Sequence, residues 1–407
     1  MNPDQIRPIL EHYQQTHLLA FYDTLSEQEQ QALCEQIAAL DFSIPVYAAS
    51  NENTARGTFA PLQGMSIEKA AQFAREHEIL GLKALRRGEV GAVLLAGGQG
   101  TRLGFDIPKG CVNIGETREV TLFSLHFANL KRHAAMAGRS IPIFIMTSKF
   151  NYDATLQFLQ EHHYFDYPEE DVILFRQEMA VCTDFDGKAL LAAPGYVAES
   201  PNGNGGWFLS MEKAGLLPEL ERRGIRWLNV FAVDNALQQI ADPKFIGAVI
   251  KSGCESGAKV VAKAAPDERV GVLCLEDGRP SIVEYYEMTD EIRTAREENG
   301  LLSYRYGVIL NYLFSVSQLM TFRDAQLPIH RAAKTIPCLD AAGNPVSPAQ
   351  PNGYKYETLV LDMVHFQQSC LPYEIVREAE FAPIKNRNGI DSLDSARILL
   401  KNAGFIL

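Results

Sequence analysis

The sequence lacks any long hydrophobic run and any paired arrangement of its few cysteines. No stretch reaches the roughly eighteen apolar residues that a membrane-spanning helix needs, and the N-terminal MNPDQIRPILEHYQQ has no apolar secretory core. The seven cysteines form no CxxC pair and have no histidine at metal-ligand spacing, which disfavours a zinc site. We therefore expect free thiols, a cytoplasmic location and no membrane partner.

Positive charge is also scarce. The 407 residues include 38 Lys and Arg against 50 Asp and Glu, which gives a formal net charge of -12. Nucleic acids and anionic membranes are bound by dense cationic surfaces, so a nucleic-acid partner is not expected. An anionic ligand must therefore be bound by a local group of cationic side chains.

Apolar periodicity predicts an α/β protein that begins with helices. Residues 1–60 form a predicted N-terminal helical appendage, with Ile6, Ile9 and Leu10 on one helix face and Ser26 capping a second helix. From Glu89 onward, short apolar runs alternate with helical segments, which is typical of a mostly parallel sheet covered on both faces. The predicted strands are VGAVLLA, IPIFIMTS, VILFRQ and RWLNVFAVD, and the predicted helices lie near 66–87, 120–137, 153–162 and 206–215.

The second half of the chain has a different pattern. After Gly257 the closely spaced runs KVVAK, VGVLCL and SIVEYYE predict an antiparallel layer over the site, followed by helices near 316–323 and 356–369 and a helical DSLDSARILLKNAG. A polar stretch over 48–64 reads as a linker. We thus predict an appendage (1–60), a catalytic domain (61–370) and a short C-terminal segment (371–407) that completes it.

The strongest motif is LLAGGQGTRLGFDIPKG at residues 94–110. It begins where a buried strand is predicted to end, and three glycines within four residues let backbone N–H groups approach phosphate oxygens without Cβ interference. Leu103 stands where the dinucleotide motif GxGxxG needs its last glycine, and no Gly-Lys-Ser/Thr follows, so the Walker A motif is absent. The segment indicates a polyphosphate ligand.

Two cations are built into this segment. Arg102 offers a planar fork to a pyrophosphate, and Lys109 offers a point charge. Transfer of a nucleotidyl group develops negative charge on the α-phosphoryl oxygens and on the leaving pyrophosphate, where fixed cations lower the barrier. The alternative is a tight surface turn with two solvated cations.

At these residues the chain resembles the eukaryotic-type UDP-N-acetylglucosamine pyrophosphorylases, within the wider UDP-sugar pyrophosphorylase family, whose signature is GGxGTRLG followed by PKG. The resemblance extends from HLLAFYDTLSEQEQ to FAPIKNRNG. It implies a Rossmann-like nucleotide-diphospho-sugar transferase core with a mostly parallel mixed sheet, a Mg²⁺ cofactor, and the reaction of UTP with a sugar 1-phosphate to give UDP-sugar and pyrophosphate.

The resemblance also implies site residues. It implies catalytic roles for Arg102 and Lys109. It also implies that Asp234, at the end of LNVFAVD, is the Mg²⁺ ligand. The implied nucleotide contacts are Leu95, Ala96, Gly97, Gly98, Lys109, Gln177, Gly203, Asp234 and Lys334, and the implied sugar-phosphate contacts are Asn204, Glu284, Tyr285, Asn311 and Lys385. Without the resemblance, Gln177 and the later lysines also fit ordinary surface positions, and Asp234 also fits a helix cap.

Several alternatives stay open at the level of sequence. Glucose or galactose 1-phosphate could replace N-acetylglucosamine 1-phosphate as the acceptor, although PNGNGG and IVEYYE resemble the N-acetylglucosamine branch more closely. A catalytically silent nucleotide-sugar binder and a UTP-hydrolysing enzyme are further alternatives. Asn202 departs from the Asp of many relatives, so its role is open. Because family members usually carry a further small C-terminal domain, which this sequence does not show, we expect a monomer or weak oligomer.

Overall fold

The computed structural model describes residues 2–51, 56–323 and 325–407. The α-helices are α1 (Pro3–His12), α2 (Glu27–Ala39), α3 (Ser43–Asn51), α4 (Ile67–Gln72), α5 (Ala74–Arg86), α6 (Leu122–Ala137), α7 (Tyr152–Glu161), α8 (Trp207–Lys213), α9 (Leu217–Arg223), α10 (Pro243–Ser252), α11 (Asp290–Thr294), α12 (Val316–Thr321), α13 (Asp362–His365), α14 (Arg377–Glu380) and α15 (Leu393–Asn402). Within the described ranges, none of these helices combines the length and apolar character needed to cross a membrane.

The strands alternate with these helices along much of the chain. They are β1 (Phe59–Ala60), β2 (Val90–Leu95), β3 (Ile143–Thr147), β4 (Val172–Arg176), β5 (Met179–Val181), β6 (Leu191–Ala193), β7 (Tyr196–Val197), β8 (Glu199–Pro201), β9 (Trp227–Ala232), β10 (Ser256–Ala262), β11 (Val272–Glu276), β12 (Arg279–Val283), β13 (Tyr306–Ser315), β14 (His330–Lys334), β15 (Cys338–Leu339), β16 (Pro345–Val346), β17 (Gly353–Glu357) and β18 (Cys370–Glu374).

The chain divides into two compact units. The smaller unit comprises Met1–Ala55, Gln177–Gly206 and Gln326–Val360, and the larger unit comprises Arg56–Arg176, Trp207–Ala325 and Leu361–Leu407. The predicted boundaries at 60 and 370 do not coincide with these limits, because two later segments group with the N-terminal helices. Residues 52–55 of the predicted linker lie outside the described residues.

A ten-stranded sheet forms the centre of the larger unit. Strands β9, β2, β3 and β4 are parallel neighbours, and β13 pairs with β9 in the antiparallel direction. The predicted α/β class is confirmed. Strands β11 and β12 are antiparallel to their neighbours as predicted, and β10 is antiparallel to β13 but parallel to β18. All three strands extend the same sheet instead of forming a separate layer. The carboxyl ends of the parallel strands share one edge, which is where ligands bind in such sheets.

Close helix packing covers this sheet. All six residues of β2 are buried, and full burial of each Val or Leu side chain contributes about 1.5–3 kcal/mol. Helices α5 and α10 cross closely because both carry a glycine at the contact. An added Cβ at Gly81 would lie 1.9 Å from the carbonyl oxygen of Pro243, and one at Gly247 would lie 1.8 Å from that of His77. Substitution of either glycine would force these helices apart.

The smaller unit confirms the predicted N-terminal helices. Ser26 caps α2 through a capping box with Glu29, which satisfies two N–H groups that the helix leaves unpaired. The helices pack with residues of β5, β6 and β7 in one buried apolar cluster, whose core includes Ile6, Leu10, Leu33, Ile37, Val181, Leu191 and Val197.

Three predicted elements differ from the structure. The helix predicted near 356–369 is wrong, because Gly353–Glu357 is strand β17, paired antiparallel with β14, and only Asp362–His365 is helical. The helix predicted over 66–87 is interrupted at Phe73, which leaves helical geometry between α4 and α5. The strand predicted over SIVEYYE ends at Val283, before Glu284.

Candidate active site

The loop that follows β2 is closed on itself. Residues 96–109, hereafter the phosphate loop, are held by hydrogen bonds from Gly100 N to Ile107 O at 2.9 Å and from Lys109 N to Gly98 O at 3.1 Å. Leu103 is buried and anchors the loop, while Arg102 is exposed on a short 3₁₀ turn. Both ends of the loop are therefore fixed before any ligand binds.

The glycine-rich start of this loop leaves backbone donors available. Among the described residues, no acceptor pairs with the N–H groups of Gly97, Gly98 or Gln99. A Cβ added at Gly98 would meet no atom within 4 Å, so this side of the loop faces open space. Successive unpaired N–H groups beside open space form a concavity suited to phosphate oxygens.

Asn151 holds this loop in place, and the sequence analysis missed it. Its fully buried side chain follows β3 and donates from Nδ2 to Ala96 O at 3.0 Å and to Gly98 O at 3.3 Å. Its Oδ1 accepts from Ser148 N at 2.7 Å, which fixes the amide orientation. In sequence, an Asn between a strand and a helix resembles an ordinary cap, so its contact with the phosphate loop was not visible.

Lys109 and Asp234 come together. Their Nζ and Oδ2 atoms lie 3.5 Å apart, although the two residues are 125 positions apart in the chain. Their side chains are 16% and 23% exposed, so both reach the surface of the site. Asp234 follows the carboxyl end of β9, beside that of β2. A cation and a carboxylate thus face each other where the phosphate loop ends.

A buried histidine supports the turn that carries Asp234, residues 233–235 (the Asp234 turn). Burial lowers the pKa of His126 to about 4, so the ring is neutral near pH 7. Its Nε2 lies 2.9 Å from Val233 O. Because a carbonyl oxygen only accepts, Nε2 carries the proton. A histidine on the apolar face of α6 gave no sequence signal for this role.

Asn235 ties the Asp234 turn to the C-terminal part of the larger unit. Its buried side chain donates from Nδ2 to Glu380 O at 2.7 Å and accepts at Oδ1 from Ala382 N at 2.8 Å. Ile384 N in turn donates to Asp234 O at 2.9 Å. The chain leading to Lys385 is therefore fixed to the Asp234 turn. Lys385 itself is half exposed, with Nζ 3.8 Å from Asp391.

The predicted sugar-binding residues of the larger unit have different surroundings. Glu284 follows β12, and Tyr285 beside it is 41% exposed. Asn311, in contrast, is fully buried in β13, where Oδ1 accepts from Asn229 at 2.7 Å and Nδ2 donates to Gln238 at 3.2 Å. Both polar side-chain atoms of Asn311 are thus hydrogen-bonded to other residues of the protein. Its contact with a sugar stays a prediction.

The remaining predicted residues belong to the smaller unit. Gln177 is 7% exposed, and Lys334 is exposed at the end of β14. Asn204 Oδ1 accepts from Val360 N at 2.9 Å. Gly203 has φ +87°, and an added Cβ there would lie 2.2 Å from Thr358 O, so close backbone packing requires this glycine. Their contacts with uracil, sugar and phosphate stay predictions.

The parallel strands, the phosphate loop and the Lys109–Asp234 pair define an α/β nucleotidyltransferase. Comparison with known proteins then gives the family. The family model described as UTP--glucose-1-phosphate uridylyltransferase matches residues 52–406, and the chain belongs to this family. It is therefore a UTP:sugar-1-phosphate uridylyltransferase.

Individual relatives are similar over most of their length. The chain is 35% identical to human UDP-N-acetylhexosamine pyrophosphorylase-like protein 1, over 96% of this chain and 82% of the relative. It is 34% identical to the UDP-N-acetylglucosamine pyrophosphorylase of Saccharomyces cerevisiae, over 96% and 88% respectively. The solved uridine diphosphate N-acetylglucosamine pyrophosphorylase of Trypanosoma brucei superposes with a TM-score of 0.84 and 27% identity, covering 96% of this chain and 82% of that one.

Proposed function

We propose that this chain transfers the uridylyl group of UTP to N-acetylglucosamine 1-phosphate and releases pyrophosphate. The observation that carries the proposal is the phosphate loop, with unpaired N–H groups at Gly97–Gln99 and Lys109 3.5 Å from Asp234. The yeast and trypanosomal relatives are named for N-acetylglucosamine, which favours this sugar over glucose or galactose.

The proposed reaction is a direct in-line displacement. An oxygen of the sugar 1-phosphate forms a bond to the α-phosphorus of UTP, and the bond from that phosphorus to the bridging oxygen of the pyrophosphate breaks. The attacking phosphate is already ionised near neutral pH, so it needs positioning and charge neutralisation more than deprotonation. Lys109 neutralises the α-phosphoryl oxygens, and Arg102 binds the leaving pyrophosphate with its planar fork.

A magnesium ion is part of the proposal. Among the described residues no group of three His, Cys, Asp or Glu side chains could hold a metal. Nucleotide-bound Mg²⁺ uses one or two carboxylates together with substrate phosphates and water, so the partly exposed Asp234 fits this ion as its protein ligand. When bound, Mg²⁺ would neutralise charge on the phosphates.

A panel of acceptors tests the function. The purified chain is given UTP, Mg²⁺ and the 1-phosphates of N-acetylglucosamine, N-acetylgalactosamine, glucose or galactose, and pyrophosphate release is measured. We expect the highest kcat/KM with N-acetylglucosamine 1-phosphate. A higher value with glucose 1-phosphate would change the proposed sugar, and activity with none of the four would support a silent binder. Phosphate release from UTP alone would indicate hydrolysis.

We further propose a cytoplasmic enzyme that is a monomer or weak oligomer and binds neither nucleic acid nor membrane. The seven cysteines are all unpaired, as a reducing compartment requires, and the net charge of -12 disfavours polyanionic surfaces. Light scattering over a range of protein concentrations tests the assembly state. A dimer that persists on dilution would contradict this proposal.

A further inference from the structure

Residues 385–391 form a short exposed loop whose base is fixed next to the Asp234 turn. The N–H groups of Lys385 and Asn386 both donate to Asp391 O, at 2.7 and 3.0 Å, and so close the loop. Just before it, Ile384 N is bound to Asp234 O, and just after it α15 begins at Leu393. The base of this 385–391 loop is thus fixed in position relative to the Asp234 turn.

The same apolar cluster supports both the 385–391 loop and the phosphate loop. Leu103, Ala382 and Ile384 are buried together in it, with 3%, 0% and 0% of their surfaces exposed. Leu103 lies in the middle of the phosphate loop, and Ile384 immediately precedes the 385–391 loop. The two loops are therefore anchored in the same packed apolar cluster.

Arg387 lies over the phosphate loop. Its Nη1 and Cζ atoms are 3.5 and 3.9 Å from the position that a Cβ on Gly104 would occupy. Gly104 follows Arg102 by two residues and has φ +85°, so the chain turns there without a side chain in the way. Arg387 therefore approaches the loop at Gly104, two residues after Arg102 in the chain.

The charge of Arg387 is not neutralised by the protein. Lys109 faces Asp234 at 3.5 Å and Lys385 faces Asp391 at 3.8 Å, but no carboxylate of the described residues forms an ion pair with Arg387, whose side chain is exposed. An exposed guanidinium without a carboxylate partner, next to a loop that is suited to phosphate oxygens, can bind a phosphate in a bidentate manner.

We propose that Arg387 binds the β- and γ-phosphates of UTP, and the pyrophosphate formed from them, together with Arg102. The assignment rests on the proposed function. A triphosphate carries more negative charge than Arg102 and Lys109 neutralise, and Arg387 adds a third cation beside the phosphate loop, at Gly104. No motif of the sequence analysis singled out this residue.

Ligand binding without turnover tests the proposal. Dissociation constants for UTP and UMP are measured by calorimetry for the wild type, Arg387→Gln and Arg387→Lys, with no sugar phosphate present. We expect Arg387→Gln to weaken UTP about tenfold, as loss of a charge-assisted contact does, and to leave UMP within about twofold because UMP lacks the β- and γ-phosphates. Arg387→Lys keeps the charge but not the planar fork, so its dissociation constant for UTP should lie between those of the wild type and Arg387→Gln. Exposed Arg279→Gln in β12 is the matched control.

Two outcomes would overturn the assignment. Arg387→Gln and Arg279→Gln could bind UTP equally well, or Arg387→Gln could weaken UMP as much as UTP, which would indicate a general disturbance of the site. Steady-state kinetics provide a second readout, in which KM for UTP rises and KM for the sugar 1-phosphate stays within about twofold. Failure of the acceptor panel would contradict the proposed function but would leave the UTP and UMP comparison interpretable.

Discussion

At the scale of single residues, Lys109 and Asp234 show how the fold concentrates charge. Asp234 follows β9, and Lys109 ends the phosphate loop that follows β2. Because β2 and β9 are paired in parallel, the two side chains meet, with Nζ and Oδ2 3.5 Å apart. An ammonium group at this distance from a partly exposed carboxylate remains available to a phosphate, because neither side chain is fully enclosed. The pair can therefore serve the substrate as well as the protein.

Replacement of Lys109 with Ala tests its proposed part in the chemistry. We expect kcat to fall about 100-fold to 1000-fold, as it does when one preorganised donor to a transition-state oxyanion is removed. UTP binding should weaken much less, because the backbone N–H groups and the other cations remain. Steady-state kinetics and UTP calorimetry measure the two effects. The exposed Lys69→Ala on α4 is the control, and nearly intact turnover in Lys109→Ala would refute the assigned role.

Residues that touch the ligand are easier to predict than residues that hold them in place. The glycines, Arg102 and Lys109 stand together in one segment, so their spacing alone predicts a phosphate site. Asn151, His126 and Asn235 act through partners far away in sequence, at 55, 107 and 147 positions. A local pattern cannot reveal such partners, since it describes only the neighbours of a residue along the chain.

At the scale of elements, the sequence predicts those whose signals are local. Helix α2 with its cap Ser26, helix α15 and the buried strand β2 were all predicted from local signals in the sequence. Strand β17 was mistaken for helix because its partner β14 lies about twenty residues earlier and supplies the pairing that fixes it. Tertiary pairing outweighed the local pattern there.

The β11–β12 hairpin offers a test of element packing. Arg56, just before β1, donates from Nε and Nη2 to Glu276 at the end of β11, at 2.9 and 2.8 Å. Hydrogen bonding to this guanidinium lowers the pKa of Glu276 to about 2. Because the folded pKa lies below the unfolded value of about 4.3, the stabilisation is complete near neutral pH and is lost as pH falls from about 4 towards 2.

We therefore expect Glu276→Gln to lower the free energy of unfolding by about 1–2 kcal/mol near pH 7, a modest value because Arg56 is partly exposed. Urea unfolding followed at about pH 7, 4 and 3 measures the difference from the wild type, which should shrink at the lowest pH. The exposed Glu291→Gln on α11 is the control. A difference that is constant over this pH range would show that the Arg56 contact does not set the Glu276 pKa.

At the scale of the whole molecule, the composition and the order of elements predicted an α/β protein but not the way in which the chain divides into two units. A chain with 46% hydrophobic residues can bury a large core, and the alternation of strands and helices indicated one α/β sheet. The grouping of Gln177–Gly206 and Gln326–Val360 with the N-terminal helices was not predictable. Such contacts join distant segments and leave no periodic signal in either one.

The seven cysteines report on the folded state of the whole chain. Cys254 and Cys338 are partly exposed, whereas the other five are buried, and burial raises the pKa of Cys111, Cys274 and Cys370 to about 12. Only a thiolate attacks a disulfide reagent, so buried thiols must wait for unfolding. With Ellman's reagent near neutral pH, we expect a fast reaction of the two exposed thiols, and reaction of all seven in guanidinium chloride.

The double variant Cys254→Ser, Cys338→Ser completes this test. We expect this variant to show no fast thiol reaction. Each protein thiol that reacts later then measures opening of the buried core. The rate of that slow reaction should rise with denaturant as the folded population falls. A fast third thiol in the wild type, or a fast thiol in the double variant, would mean that one of the buried cysteines is accessible in the native protein. The reactive position could then be located by labelling and peptide mapping.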